Sequence, residues 1–260
     1  MPPSPEDLTP ILKLLLQRTG YDFRGYRQST LQRRITRRLQ ACGCSTCQDY
    51  FQYLKEHPEE AGRLFKDLTI HVTEFFREPE IWAGAGQKIL TGLSGEIKIW
   101  SAGCASGEEA YSLAIFFKEA DHDSGVSVLG TDIDRDSLKR AKEGIYPEEK
   151  LKPVSPAVRK KYFHPVKGGY QINSTLKEGV RFQLSDLARQ AAEGPFDLIS
   201  CRNVLIYFSK ELQEKVLVRF HHSLRPGGFL WLGRAESLWG RAQDLFECVD
   251  KTAKIFRKKN

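Results

Sequence analysis

Apolar positions recur at two different periods along the chain, and the change between them divides it. Leu8, Ile11, Leu12, Leu15 and Leu16 fall at helical spacing between Pro5 and Thr19, with Gly20 as the stop. Leu31, Ile35 and Leu39 recur every fourth residue over Arg27–Ala41, and helical patterns continue over Cys47–Lys55 and Glu59–Phe76, with Pro58 between them. This spacing predicts an all-helical N-terminal unit, residues 1–75, followed by a linker helix over 76–94. After Gly95 short apolar runs take over: Ile97–Trp100, Val126–Leu129, Val180–Leu184, Phe196–Cys201 and Gly228–Leu232. Between them lie helical patterns over Glu108–Glu119, from Asp134 to Glu143, and along the stripe Leu212, Val216, Leu217, Phe220 and Leu224. Strand and helix alternating in this way predict an α/β domain over 95–260, a parallel sheet with helices on both faces.

The interval from Gly144 to Gly179 is far longer than the roughly 2–6 residues of an ordinary helix-to-strand connection. It carries Pro147, Pro153, Pro156, Pro165 and Gly168-Gly169, so it turns repeatedly. The reading is an inserted small subdomain, with Tyr170–Ile172 and Val180–Phe182 as strand-like pieces.

Composition narrows the class. With 40% hydrophobic and 28% charged residues, the chain of 260 is a globular protein and not a disordered one. Its apolar runs fall short of a membrane span, its start is polar, and its six cysteines suit a reducing compartment, so a cytoplasmic monomer is expected. Lys and Arg number 40 against 33 Asp and Glu, a net +7. Arg24, Arg27, Arg33, Arg34, Arg37 and Arg38 concentrate that charge in a window free of acids, which marks an anionic partner without naming it. Cys42, Cys44 and Cys47 lack a fourth ligand nearby, so no metal is expected. Cys201 reads as packing, and His221-His222 as solvent-exposed.

Candidate chemistry gathers at strand ends. Gly103 to Gly107 forms a glycine-bounded loop between the first strand and its helix, which lets backbone approach a ligand. Glu108 and Glu109 at the helix start argue against a phosphate there, because the positive helix end already has its anions. A cationic or zwitterionic ligand such as S-adenosylmethionine suits better. Asp132 ends the second strand, where nucleotide-binding sheets place a carboxylate on ribose hydroxyls, and Asp186 follows the third. Asp134 reads as a helix N-cap. Removing Glu108 or Asp132 is expected to weaken cofactor binding and leave the fold intact.

The stretch His71-Val72-Thr73-Glu74-Phe75-Phe76-Arg77-Glu78 resembles the signature of CheR-type chemotaxis receptor glutamate methyltransferases. So do Trp100 through Ser112, Thr131-Asp132-Ile133-Asp134, Cys201 through Phe208, and Leu224-Arg225-Pro226-Gly227-Gly228. The resemblance covers essentially the whole chain. It implies a class I (Rossmann-like) methyltransferase fold with an N-terminal helical domain and an inserted β-subdomain. It implies S-adenosylmethionine as methyl donor and S-adenosylhomocysteine as product, with cofactor contacts at His71, Thr73, Arg77, Glu108, Asp132, Asp186, Leu187, Arg202 and Asn203. His71 stands where the family usually has Asn. Tyr207 matches the family tyrosine beside the transferring methyl and is the expected catalytic residue. The acceptors would be glutamates on the acidic helices of a chemoreceptor, with Arg33, Arg34, Arg37 and Arg38 as the receptor-binding face.

The two rivals are a nucleic-acid methyltransferase and a sensor that binds the cofactor without turnover. Against the first, Cys201-Arg202-Asn203-Val204 stands where an amine methyltransferase carries its Pro-Pro-Tyr loop. Some family members tether to a receptor's C-terminal pentapeptide through the inserted subdomain. Here the loop Pro165–Tyr170 is shorter than in tether-dependent relatives, so its hairpin is expected to turn too early to present a groove. No tether is expected.

Overall fold

Ser4 and Thr46 start two helices by the same device. Each hydroxyl accepts the N–H three residues on, from Asp7 and Asp49, whose carboxylates reach back to the cap N–H. The helices that follow are α1 (Pro5–Thr19), α2 (Gln28–Ala41), α3 (Cys47–Glu56) and α4 (Pro58–Leu68). Gly20 ends α1 in the left-handed conformation, φ 79°. The computed structural model describes residues 3–69, 72–93, 95–120 and 125–259. By its internal contacts the chain divides into a helical unit, ending before residue 71 but taking in Tyr207–Gln213, and a second unit holding the rest.

The core of the helical unit includes Leu8, Ile11, Leu12, Leu15, Leu31, Ile35 and Leu39, all read from spacing, whereas Leu16 is half-buried outside it. One charge sits inside it. Glu60 is fully buried, and Arg38 forks its carboxylate with Nε and Nη2 at 2.8 Å each, while the Tyr50 hydroxyl donates at 2.9 Å. Burial pushes the Glu60 carboxyl up, but these hydrogen bonds outweigh it and hold it below its ordinary value. Arg38 is therefore committed inside the unit, which corrects its place on the receptor-binding face. Arg33 and Arg37 are exposed and Arg34 is half-buried. Tyr207–Gln213 joins through backbone pairing: Arg27 N–H donates to Tyr207 O at 2.8 Å, Ser209 N–H to Gly25 O at 2.9 Å, and Tyr26 bridges Phe208.

The helix expected to run on to Phe76 stops at Leu68. The β-branched residues that follow resist helix, Thr69 caps in an extended conformation, and Phe76 and Glu78 stand at φ 48° and 60°.

The second unit begins with α5 (Pro79–Leu90) and runs β1 (Ile97–Ala102), α6 (Glu108–Glu119), β2 (Val126–Asp132) and α7 (Arg135–Glu143). The interval 144–179 then folds as a three-stranded antiparallel sheet in the order β3-β5-β4, from β3 (Ile145–Tyr146), β4 (Phe163–Val166) and β5 (Gly169–Ile172). Short α8 (Pro156–Tyr162) precedes β4, and α9 (Ser174–Glu178) follows β5. The chain returns with β6 (Val180–Leu184), β7 (Phe196–Cys201), α10 (Lys210–Ser223) and β8 (Leu224–Leu232). It closes with α11 (Ala242–Leu245), β9 (Phe246–Asp250) and β10 (Ile255–Lys258).

The main sheet has seven strands in the order β6-β2-β1-β7-β8-β10-β9. Its first five are parallel, but β10 is antiparallel to both neighbours, so the sheet is mixed and not wholly parallel as read from sequence. The polar positions Glu247, Asp250 and Arg257 obscure the last hairpin in the apolar pattern. Pro226-Gly227-Gly228 lies within β8, where its register against β7 shifts. His221 is half-buried with its ring 5.5 Å from that of Phe246, a correction to the expected exposure, whereas His222 is exposed.

Candidate functional site

A parallel strand leaves its next turn at its carboxyl end, so neighbouring strands bring their loops to one edge. Here that edge is held together by backbone bonds. Gly103 and Cys104 N–H, after β1, donate to Thr131 O at 2.8 and 2.9 Å, and Ser185 N–H, after β6, donates to Asp132 O at 2.9 Å. Gly103 stands at φ 81°, and a Cβ there would lie 2.5 Å from Val204 in the loop after β7. The sheet order therefore sets Asp186, Asp132, the 103–107 turn and Asn203 side by side.

The two glutamates at the start of α6 do different work. Glu109 Oε1 accepts from Ser101 Oγ at 2.8 Å and Ser200 Oγ at 3.0 Å, tying α6 to β1 and β7. Glu108 is 1% exposed. Its carboxylate accepts from Ser106 Oγ at 2.8 Å and faces the Lys150 ammonium at 3.4 Å. Burial pushes the Glu108 carboxyl above its ordinary value, with Ser106 and Lys150 pulling the other way. Lys150, from the inserted subdomain, also donates to Thr73 O at 2.7 Å. Beside it, Val72, Thr73, Glu74, Arg77, Glu149, Lys150 and Pro153 line a cavity of about 220 Å³. The structure thus brings Glu108, Thr73 and Arg77 to one lysine that sequence reasoning missed. No spacing signal marks Lys150, because the inserted subdomain carries it in from a distance. His71 lies outside the described residues.

Asp132 is more deeply engaged than its sequence position suggests. Oδ2 accepts from Ala105 N–H at 2.8 Å and Oδ1 from Asp134 N–H at 2.9 Å, so this carboxylate shapes the glycine turn. The expectation that its removal leaves the fold intact is therefore corrected. A carboxylate has about four acceptor positions, which leaves room for ribose hydroxyls as well. Asp134 caps α7, accepting from Ser137 N–H at 3.0 Å and Ser137 Oγ at 2.7 Å. Asp186 accepts from Ala188 N–H at 2.9 Å, and Leu187 O accepts from Arg219 at 3.0 Å.

The β7 loop splits its two candidates. The Arg202 guanidinium is buried, donating to Glu78 at 2.7 Å and to Arg77 O at 3.0 Å, with its centre 4.9 Å from the Trp231 ring. That side chain joins the 77–78 segment to the loop. Asn203 stands at φ 62°, and its buried Oδ1 has no hydrogen-bond partner in the protein. Its N–H, with those of Val204 and Leu205, is held by Glu236, which the sequence reading passed over. The strand-end rule that picked Asp132 and Asp186 would have found Glu236 beyond β8. Cys201 is fully buried, and burial pushes its thiol well up, away from the thiolate a nucleophile needs. Tyr207 is half-buried and grouped with the helical unit.

In the inserted subdomain the tight turn at Lys167-Gly168 leaves β4 as an edge strand. A cavity of about 660 Å³ lies against Phe163, His164, Pro165, Tyr170 and Arg159, so the early turn does not abolish a groove as expected. Among the described residues no helix is long and apolar enough to cross a membrane.

Family comparisons agree along the chain. The model of the CheR methyltransferase SAM-binding domain matches residues 71–255, and that of the CheR methyltransferase all-alpha domain matches 6–69. The putative methyltransferase Cher3 of Pseudomonas putida is 34% identical over 259 residues, covering 95% of each chain. The chemotaxis protein methyltransferase of Escherichia coli is 34% identical over 241 residues, 87% of this chain and 82% of that one. The chemotaxis protein methyltransferase of Klebsiella aerogenes is 33% identical over 246 residues, 91% and 84%.

Proposed function

The chain belongs to the CheR methyltransferase family, and from that premise we propose that it methylates glutamate side chains of a chemoreceptor. It is an S-adenosylmethionine-dependent methyltransferase of the chemotaxis type. The observation that carries the site is Glu108, a buried carboxylate at the positive end of α6 with an ammonium, Lys150, as its counter-charge. The cofactor's own ammonium meets the same need, and the partnerless Asn203 Oδ1, on the loop after β7, is a further acceptor for the cofactor. Glu108, Asp132, Asp186 and Asn203 are the residues that would hold the cofactor, with Thr73, Arg77 and Leu187 along its flank. The Arg202 side chain supports them by fixing Arg77 and Glu78.

When bound, S-adenosylmethionine supplies a sulfonium methyl, which an acceptor carboxylate oxygen takes while the C–S electron pair leaves on S-adenosylhomocysteine. The acceptor is already ionised at pH 7, given an ordinary glutamate pKa of about 4.3, so no general base is needed. The protein's part is alignment and exclusion of water, and near-attack geometry is worth roughly 7–11 kcal/mol. Tyr207 would hold the acceptor carboxylate oxygen. Exposed Arg33 and Arg37 attract the acidic receptor helices in the cytoplasm.

We further propose that no pentapeptide tether is used, because β4 has no donor to offer on its outer edge. Asn173 N–H donates to Tyr162 O, so in this register His164 and Val166 face β5 while Phe163 and Pro165 face outward. Phe163 N–H is taken by Arg159 O, and proline has none. The test of the activity is labelled cofactor with receptor-containing membranes. Base-labile methyl esters on receptor glutamates are expected, and their absence with every receptor of the source cell would overturn the reading.

A further inference from the structure

Glu236 is a buried carboxylate that the transfer reaction does not itself require. It is 3% exposed, and four backbone N–H groups converge on it. Oε2 accepts from Gly233 at 2.6 Å and Asn203 at 3.0 Å, and Oε1 from Leu205 at 2.7 Å and Val204 at 2.9 Å. Three of these donors are consecutive residues of the loop after β7, and such a row of N–H groups forms an anion-binding nest. The loop is also confined by two glycines. A Cβ at Gly233 would lie 2.8 Å from both Asn203 N and Glu236 Oε2, and one at Gly103 would lie 2.5 Å from Val204. Bonds to a charged acceptor are roughly twice as strong as neutral ones, which suits holding Asn203 at its positive φ of 62°. The outcome of this clamp is an Asn203 side chain whose buried Oδ1 is left without a protein partner. Burial pushes the Glu236 carboxyl up, while the four N–H bonds pull it back toward the ionised form.

We propose that Glu236 is a positioning residue for methyl transfer, an internal anion that sets the 203–205 loop so that Asn203 meets the cofactor. The proposal rests on the cofactor site assigned above. The test uses the full chain with Glu236→Gln, Gly233→Ala, Asn203→Ala and the Asn203→Ala/Glu236→Gln double variant. S-adenosylhomocysteine affinity is read by calorimetry, methylation by steady-state kinetics, and unfolding alongside. Glu236→Gln is expected to weaken binding and raise KM for S-adenosylmethionine at least tenfold, with a smaller fall in kcat. Because both act through one contact, the double variant should bind little worse than Asn203→Ala alone. If Glu236→Gln does not fold, Gly233→Ala carries the test, since it crowds the same clamp from the other side. Wild-type affinity in either soluble variant, or losses that simply add in the double variant, would overturn the proposal. A wild-type protein that binds no S-adenosylhomocysteine would instead overturn the cofactor site itself.

Discussion

Single carboxylates show how burial and function pull in opposite directions. Glu108 has a raised pKa in the folded chain, so its contribution to stability is greatest below the ordinary carboxylate range and is lost as pH rises through the raised value. Its use to the cofactor has the reverse slope, because only the ionised form pairs with an ammonium. On acidification from neutral, S-adenosylhomocysteine affinity should fall while the Glu108 contribution to apo-protein stability grows. Glu108→Gln should bind about ten- to hundredfold more weakly, a loss of roughly 1.5–3 kcal/mol, with a shallower pH dependence and no lower unfolding midpoint at neutral pH. Calorimetry and thermal unfolding at matched pH values check both halves, and wild-type binding would place the site elsewhere. Asp132→Ala behaves differently. It strands the N–H groups of Ala105 and Asp134, so about 1–3 kcal/mol of stability should go with each, together with cofactor affinity. Denaturant unfolding measures that loss, and an unchanged midpoint would show the turn holds without it.

At the scale of elements, α2 carries two kinds of arginine. Arg33 and Arg37 lie one turn apart and are exposed, so Arg33→Glu with Arg37→Glu should impair receptor methylation and spare S-adenosylhomocysteine binding. Attraction through such surface charges is screened within about 8–10 Å, and the wild-type rate should fall as salt rises. Equal rates for the variant and the wild type at low salt would mark the face as merely solvated. The β4 edge gives a second test. A receptor-tail pentapeptide should show no micromolar affinity in calorimetry, because Phe163 N–H is spent and Pro165 has none. Micromolar binding would restore the tether and direct attention to the cavity beside His164 and Tyr170.

Across the molecule, the helical unit packs a core of its own, distinct from the core around Ile99, Leu113 and Leu198 in the second unit. Arg38 belongs to the first. Arg38→Ala takes the forked guanidinium from buried Glu60 and leaves it Arg63 at 3.7 Å, so a loss of up to the roughly 3–5 kcal/mol of comparable broken pairs is expected. Hydrogen exchange should show the helical unit opening more readily, while S-adenosylhomocysteine affinity in the second unit stays near wild type. Protection lost equally in both units would mean that they fold as one.

The sequence determined most of the elements and their order, though not the last hairpin, because period and punctuation are local properties. Leu8 through Leu39 write their helices at fixed spacing, Ile97–Trp100 and Phe196–Cys201 their strands, and the prolines of 144–179 an insertion. It also marked Glu108, Asp132 and Asp186, since the carboxyl ends of parallel strands meet at one edge whatever the loops contain, while Asn203 came only with the family resemblance. Only the tertiary structure decided what each polar group faces. It turned Arg38 inward to Glu60, brought Lys150 across from the insertion to Glu108, committed Arg202 to Glu78, and set Glu236 under the Asn203 loop. These partners lie between 22 and 124 residues apart in the chain, and no periodicity links them. A charge finds its partner through the packing of whole elements, which a one-dimensional pattern does not record.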